Sequence, residues 1–211
     1  MTLELKLDGI AQRCAARTDC NAVQFALASP SRGWSWAWTA PASPRQFFIA
    51  SATKLYVSAL VMQLRRAGRI DIDRPATQYL APDIMAGIHV LRGIDSSARV
   101  TVRDLLAHTS GIADYFEQKR NDGGTTFERA LAQDFSWSFA DVLRITKEQM
   151  SPRFAPSSPG RAAYSDTNYQ ILGALIEAVT GETWEDAVRR RVIEPLGLVG
   201  TYPFTHATVE R

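Results

Sequence analysis

Apolar residues recur with two different periods along the chain, and each period predicts one kind of element. Residues 3–17 place apolar side chains three or four positions apart, which predicts an N-terminal helix. Residues 21–29 are interpreted as a strand, and Trp34 to Thr39 alternates with period two, which predicts a second strand. This alternation puts three tryptophans on one face. We expect that face to pack a sheet against helices, with ligand stacking as the alternative.

The most apolar run of the chain follows Ser51 and extends from Leu55 to Leu64. A helix that is apolar on every side is expected to be buried all round. The run is followed by two arginines and then Gly68, which match the cations and the glycine that commonly end a helix. Ser51 therefore lies where a central helix is predicted to begin, and Lys54 lies one turn further along.

Later segments carry signals for where helices begin and end. Thr101 opens a capping-box pattern that predicts a short helix, which we expect to stop at Gly111. Residues 138–150 are predicted to form an amphipathic helix capped by its first serine, and residues 169–179 a more apolar helix. The chain between residues 151 and 161 holds three prolines, which predict a rigid loop.

The pair Ser51 and Lys54 has the spacing that a nucleophile and its base require. A serine hydroxyl attacks poorly until a base takes its proton, and a lysine amine can be that base when it is neutral. Burial and the positive end of a helix both lower the pKa of a lysine, whereas an arginine in this place could not release a proton. Free N–H groups of the first helical turn can also hold an oxyanion. The pattern is weak alone, since Ser51 could simply cap the helix and Lys54 face solvent.

Composition and charge exclude several classes of function. The 211 residues are 45% hydrophobic with a formal net charge of +2, which is typical of a globular protein with one large core or two small ones. The mixed charges give no reason to expect nucleic acid or an anionic membrane as a partner. No apolar run is long enough to span a membrane, and the N-terminus lacks the layout of a signal peptide, so we expect a cytoplasmic protein.

The cysteines and histidines give no sign of a metal site. Cys14 and Cys20 are too few for a disulfide framework, and we expect free thiols, with a single bridge left open. His89, His108 and His206 lack the spacing of metal ligands, so no metal or other cofactor is expected. We interpret His108 as a structural residue at a helix end, because the sequence puts no carboxylate or nucleophile beside it. A general-base role is the alternative.

Five stretches, in order along the chain, together resemble the family of class C β-lactamases, D-alanyl-D-alanine carboxypeptidases and related esterases. Residues 48–54, which include the serine and the lysine, look like its nucleophile motif, and Tyr164-Ser165-Asp166 looks like its Tyr-x-Asn motif. Three further stretches resemble its structural landmarks: residues 68–75, 102–111 and 194–198. The resemblance runs from about residue 20 to about residue 202 and is specific as an ordered set.

The resemblance implies an α/β (α+β) fold of the β-lactamase and transpeptidase type. In that fold an antiparallel sheet flanked by helices joins an all-α domain, and the site lies between them. We assign residues 1–75 to the α/β part, 76–180 to a mostly helical domain and 181–211 to a return helix. The family's third motif, which reads Lys or His, then Thr or Ser, then Gly, lies on a late strand that lines the site. Nothing after Tyr164 matches it, so we expect the C-terminal strands to be missing.

The resemblance also implies a role for each candidate residue. Ser51 would be the acylated nucleophile and Lys54 its base or proton partner. Tyr164 would be a second base that activates the deacylating water. Asp166 and Ala50 would line the site.

Asp166 is the main departure from the family pattern. It stands where the family usually has an amide, and it would keep Lys54 charged, which favours an esterase-like enzyme over a β-lactamase. An alternative alignment matches Ser165-Asp166-Thr167 with the Ser-Asp-Asn motif of class A enzymes. Tyr164 and the flanking landmarks favour the first alignment.

Two functions from different classes follow. The first is a serine hydrolase without cofactors that transfers an acyl group through Ser51 from a small-molecule ester, β-lactam or D-Ala peptide, with esters favoured. The second is a non-catalytic, truncated or split member that needs a C-terminal complementing segment or a second copy of the chain. The intact Ser51, Lys54 and Tyr164 favour the first function, and the missing third motif favours the second.

Overall fold

The structure of the chain is a computed structural model that describes residues 1–19, 22–41 and 46–204. Its contacts divide the chain into two units, residues 1–49 and residues 50–211, which are described separately. The predicted domain limits near residues 75 and 180 remain predictions, although one hydrophobic core of the second unit crosses both of them.

The first unit contains a helix and a β-hairpin. Helix α1 spans Leu3–Ala15 and begins after Thr2, whose hydroxyl accepts a first-turn N–H. Strands β1 (Gln24–Ser29) and β2 (Trp34–Thr39) pair antiparallel along their full length. Gly33, with φ 59°, completes the tight turn between them. The helix and both strands lie where the sequence predicted them.

The tryptophan face of β2 packs against α1. The indole N–H of Trp34 donates to the Glu4 carboxylate at 2.7 Å, and that of Trp36 donates to Asp8 at 3.0 Å. This face therefore packs a strand on a helix, as predicted, and acidic side chains satisfy the polar edges of the rings. The predicted start of the first strand at Asn21 lies outside the described residues.

The second unit is mostly helical in its described part. A 3₁₀ turn at Ala50–Ala52 leads directly into helix α2, and a short antiparallel hairpin lies between α3 and α4. The elements in chain order are α2 (Thr53–Arg66), α3 (Pro82–Met85), β3 (Val90–Leu91), β4 (Ile94–Asp95), α4 (Val102–Ala107), α5 (Thr126–Ala132), α6 (Phe139–Gln149), α7 (Asp166–Thr180) and α8 (Trp184–Val188), which continues as a π-helical turn (Arg189–Ile193).

Side-chain caps explain where two of these helices begin. The hydroxyls of Thr101 and Ser138 accept the N–H groups of Asp104 and Asp141, and each of those carboxylates accepts the N–H of the capping residue in return. Both capping boxes satisfy backbone donors that the start of a helix leaves unpaired. The predicted caps at Thr101 and Ser138 are confirmed.

Helices α2, α4, α7 and α8 bury the core of the second unit. Leu60, Leu105, Ile171 and Leu175, one or two from each of the first three helices, are completely buried. Helix α7 packs against α2, α4, α6 and α8. The packing of α2 on α7 brings the start of α7 close to the start of α2, and this is where the candidate site lies.

Helix α2 is not buried all round, so the expectation of an enclosed helix is wrong for the described part of the chain. Its buried face consists of Val57, Leu60, Val61 and Leu64. On the opposite face Leu55 is 72% exposed and Met62 42% exposed, and Ala59 between them is exposed as well. These three side chains are four and three residues apart and form one stripe. A count of apolar residues cannot tell which faces of a helix have a partner.

Helix α4 ends at Ala107 and not at Gly111, as the sequence had predicted. His108 takes the left-handed conformation, with φ 57° and ψ 31°, and stops the helix. Gly111 permits a close approach of two backbones instead. Its carbonyl accepts the Arg153 N–H at 2.8 Å, and a Cβ on it would lie 1.9 Å from the Phe154 carbonyl oxygen.

Replacing Gly111 with alanine is expected to destabilise the fold by at least about 2 kcal/mol, because the new methyl group would meet backbone that cannot move away cheaply. Gly87→Ala is the matched control. Gly87 has the same φ of 72°, but nothing lies within 4 Å of a Cβ there. Gly87→Ala should therefore lower the free energy of unfolding by only about 1 kcal/mol. Urea denaturation measures both free energies of unfolding, and equal losses would contradict the close approach as the reason for Gly111.

Candidate active site

Ser51 lies on the 3₁₀ turn that precedes α2, and it is exposed. It does not cap the helix, because Ala52 is the N-cap and no side chain caps the first turn. The Ser51 hydroxyl instead contacts Lys54 and Tyr164. Ala50, just before it, has a φ of 44°, and non-glycine residues with such values cluster at functional sites.

Lys54 lies one turn after Ser51, and its ammonium group donates to the Ser51 Oγ at 3.2 Å. It also forms an ion pair with Asp166 at the start of α7, and both of these side chains are largely buried. Burial alone lowers the pKa of Lys54, but the hydrogen bonds with Asp166 and Tyr164 and the negative charge of Asp166 outweigh it and raise the pKa above the ordinary lysine value. The amine is therefore a cation near neutral pH, as the aspartate had led us to expect.

Tyr164 reaches Ser51 from a segment 113 residues further along the chain. Its phenol donates to the Ser51 Oγ at 2.6 Å, and its ring centroid lies 4.9 Å from the Lys54 Nζ. The residue is 43% exposed, so a substrate can approach the hydroxyl. The structure thus brings Ser51, Lys54 and Tyr164 together, with Asp166 beside the lysine.

Ser165 takes no part in this cluster. It is completely buried, and its hydroxyl donates to the Ala113 carbonyl at 3.1 Å. The buried Thr167 hydroxyl donates to the same carbonyl at 2.7 Å. These two side chains anchor the start of α7 to the segment after α4. The alignment of residues 165–167 with a Ser-Asp-Asn motif therefore has no support in the geometry, whereas the Tyr164 alignment has.

Asp114 is a residue of the site that the sequence did not reveal. Its buried carboxylate accepts the main-chain N–H groups of Phe116, Glu117 and Asp166 at 3.2, 3.2 and 3.0 Å. Burial raises the pKa of Asp114, and these hydrogen bonds only partly oppose the rise. The contact fixes the first residue of α7 and therefore the partner of Lys54. The available signal was a carboxylate within an otherwise apolar run.

His108 lies beside Tyr164, with ring centroids 4.6 Å apart, and its Nδ1 accepts the Ser165 N–H at 3.1 Å. Its place after α4 agrees with the interpretation as a residue at a helix end. In the fold the ring also lies beside Tyr164, a candidate site residue. The sequence could not indicate the contact, because the hydrogen bond joins residues 57 positions apart.

Within residues 1–19, 22–41 and 46–204, no group of three or more His, Cys, Asp or Glu side chains could hold a metal ion. No helix in those ranges combines the length and the apolarity that crossing a bilayer requires. Cys14 is partly exposed, while Cys20 and His206 lie outside the described residues.

The family model described as Beta-lactamase matches residues 28–207. The chain belongs to the beta-lactamase family. The match includes Ser51, Lys54 and Tyr164, and it confirms the resemblance inferred from the ordered motifs. The fold type is confirmed as well, because helices with small antiparallel sheets superpose on the solved structures of a D-stereospecific amidohydrolase and a D-amino acid amidase.

Three relatives illustrate the similarity. Penicillin-binding protein 4 of Amycolatopsis lactamdurans is 34% identical over 152 residues, which are 72% of this chain and 34% of that protein. Esterase EstB of Burkholderia gladioli is 28% identical over 159 residues, 72% of this chain and 37% of the esterase. The D-stereospecific amidohydrolase from Streptomyces sp. superposes with a TM-score of 0.72 at 28% identity, over 94% of this chain and 56% of that one. The chain thus spans 34% and 37% of the lengths of the two curated relatives.

Proposed function

We propose that this chain carries the acylation site of a serine hydrolase, and that Ser51 accepts the acyl group of a small-molecule ester, β-lactam, or D-amino-acid amide or peptide. The observation that carries the proposal is the convergence of the Lys54 Nζ and the Tyr164 Oη on the Ser51 Oγ, at 3.2 and 2.6 Å. Family membership supports it, because relatives are named as a penicillin-binding protein, an esterase and an amidohydrolase.

In the proposed reaction Tyr164 is the base, and it must first give up the proton that its phenol donates to Ser51 in this structure. The Ser51 Oγ then attacks the carbonyl carbon, and the Ser51 proton passes to the Tyr164 oxygen. Lys54 is poorly suited to take that proton, because its ion pair with Asp166 keeps the ammonium charged. The ammonium instead lies close enough to the Tyr164 ring, 4.9 Å from its centroid, to stabilise the phenolate. The leaving group departs with the proton from Tyr164. Water then attacks the carbonyl carbon of the Ser51 ester and gives a proton to Tyr164, the bond from that carbon to the Ser51 Oγ breaks, and the Oγ takes the proton back from Tyr164.

Esters are the substrates that the site favours in this proposal. Asp166 occupies the position of an amide in the motif that it resembles. An asparagine side chain can donate a hydrogen bond to the carbonyl of an amide substrate, whereas a carboxylate only accepts. The Asp166 carboxylate is also engaged with Lys54. An esterase-like activity with weak β-lactam hydrolysis is therefore expected, and the similarity to an esterase supports it.

In the second candidate function, the chain is inactive alone and becomes active only with a complementing C-terminal segment or a second copy of itself. The observation in its favour is the exposed stripe of Leu55, Ala59 and Met62 on the helix that follows the nucleophile. Contiguous exposed apolar surface of this kind often marks a contact with another protein segment. The lack of the third motif after Tyr164, and the span of 34% of the first relative's length, support the same candidate.

A fluorophosphonate is expected to phosphonylate Ser51, and a penicillin is expected to acylate it. The Ser51 hydroxyl lies within hydrogen-bond distance of Lys54 and Tyr164. Peptide mapping by mass spectrometry locates the adduct, on this chain or on a longer protein that contains it. Ser51→Ala is the control and should prevent labelling while circular dichroism stays unchanged. An adduct on Ser35, Ser110 or Ser165 would contradict the assignment.

A further inference from the structure

We propose that His108 is a positioning residue: its neutral imidazole holds Tyr164 against Ser51, and protonation of the ring releases that hold. The proposal rests on the hydrolase function proposed above, because it adds a dependence on pH to the same site. His108 itself has no contact with Ser51 among the described hydrogen bonds, so it acts through Tyr164.

His108 contacts three consecutive residues around the phenol. Its main-chain carbonyl accepts the Ala163 N–H at 2.9 Å, and its Nδ1 accepts the Ser165 N–H at 3.1 Å. Its ring stacks on the ring of Tyr164, with centroids 4.6 Å apart and planes inclined by 27°. The backbone on both sides of Tyr164 and one face of the ring are therefore held by a single residue.

The backbone of His108 has an unusual conformation at this contact. It takes the left-handed conformation that ends α4, with φ 57° and ψ 31°. Non-glycine residues rarely adopt this conformation, although histidine and asparagine do so more often than most. Strained conformations persist where the surrounding contacts demand them, and they are common at functional sites. Asparagine is therefore the substitution that disturbs the backbone least.

The hydrogen bond from Ser165 fixes the protonation state of the ring. Because Nδ1 accepts an N–H, it carries no proton, and the proton of the neutral ring lies on Nε2. The Asn168 amide nitrogen also lies 3.4 Å from Nδ1. A proton on Nδ1 would face the Ser165 N–H, remove its acceptor and leave the donor of a buried residue without a partner.

The groups around His108 come from α2, from α7 and from the segment before α7. Lys54 of α2 and Asp166 of α7 are charged, and the rings of Tyr164 and Tyr169 flank the imidazole, the latter at 5.3 Å. Burial first, and then the charge of Lys54, lower the pKa of His108 below its usual value of 6.5, with Asp166 opposing them. The hydrogen bond from the Ser165 N–H to the neutral ring is therefore intact at neutral pH, and it is lost as the pH falls through this lowered pKa.

Two matched variants separate the acceptor from the ring. His108→Asn keeps an acceptor oxygen near the place of Nδ1 and tolerates the left-handed conformation, but it cannot titrate. His108→Phe keeps a ring that can stack, but it has no acceptor. The first readout is the rate at which a fluorophosphonate labels Ser51 across the acid and neutral pH range.

We expect the wild-type labelling rate to fall in acid with a midpoint at the pKa of His108. The His108→Asn variant should lack the step at this midpoint, although the need for a deprotonated Tyr164 remains in both proteins. The His108→Phe variant should be slower by about 10- to 100-fold at neutral pH, because a catalytic group that is misplaced by about 1 Å loses rate on this scale. An acid limb that is the same in wild type and His108→Asn would overturn the proposal.

Nuclear magnetic resonance gives a second readout that needs no activity. The ¹⁵N shifts of the His108 ring, assigned by comparison with His108→Asn, report its tautomer and its titration. We expect the Nε2–H tautomer at neutral pH, and ring signals of Tyr164 that move with the His108 midpoint. A proton on Nδ1 at neutral pH, or Tyr164 ring shifts that stay constant while His108 titrates, would overturn the proposal. If both expected signals are found but no probe labels Ser51, the hydrolase function fails and the positioning of Tyr164 stands.

Discussion

Replacing Tyr164 with phenylalanine is expected to slow the labelling of Ser51 by a fluorophosphonate by about 10²- to 10⁴-fold, which is the usual contribution of a positioned general base. The substitution removes the oxygen that lies 2.6 Å from the Ser51 Oγ. It keeps the ring that stacks on His108 and lies beside the Lys54 ammonium. The loss would therefore measure proton transfer and not packing. Intact-protein mass spectrometry at neutral pH gives the rates.

Tyr169→Phe is the matched control for this experiment. Its ring centroid lies 5.5 Å from the Lys54 Nζ, but its hydroxyl bonds the Ser58 hydroxyl and the Leu106 carbonyl and not Ser51. Removing this hydroxyl should lower stability by about 1–2 kcal/mol, as expected for a lost hydrogen bond. The labelling rate should change only a few-fold.

A near-normal labelling rate for Tyr164→Phe would mean that Lys54, and not Tyr164, accepts the proton of Ser51. The ammonium would then have to lose its proton beside the Asp166 carboxylate. In that case Asp166→Asn should speed labelling, because a neutral amide does not hold the charge of the lysine. If Tyr164 is the acceptor, the same change should give no such gain.

The sequence predicted those features that depend on neighbouring residues. The capping boxes at Thr101 and Ser138 join side chains to residues three positions away. The contact of Ser51 with Lys54 also lies within one helical turn. Each of these contacts follows from backbone geometry alone, so it can be inferred without knowing how the rest of the chain folds.

Contacts between distant segments were predictable only where a motif marked them. The approach of Tyr164 to Ser51 spans 113 residues, and it was expected solely because both motifs resemble those of one family. Asp114 was missed, and the contacts of His108 with the site were not foreseen, because both side chains accept main-chain N–H groups, which every residue but proline carries. The exposed face of α2 was missed for a related reason, since apolar periodicity does not say what covers a helix.

Joining residues 1–211 to a C-terminal segment that carries the motif Lys or His, Thr or Ser, Gly is expected to raise ester turnover by about 10²- to 10³-fold, the effect of one oxyanion-hole donor in a serine protease. The start of α2 has no side-chain cap, so its N–H groups can hold one side of an oxyanion. In the family that the motifs resemble, a late strand lines the other side. Turnover of a short-chain p-nitrophenyl ester and of nitrocefin, compared with residues 1–211 alone, measures the gain.

The exposed stripe of α2 tests whether the added segment covers that helix. In residues 1–211 alone, Leu55 is 72% exposed and Met62 is 42% exposed, and the variants are Leu55→Gln and Met62→Gln. Each should change the free energy of unfolding by no more than about 0.5 kcal/mol. In the joined protein the same changes should cost about 1.5–3 kcal/mol each, because the added strands would bury these side chains. Leu60→Gln is the control, since Leu60 is already completely buried and its loss should appear in both proteins. Equally small effects of the Leu55 and Met62 changes in both proteins, or full ester turnover by residues 1–211 alone, would mean that catalysis needs no covering segment on α2.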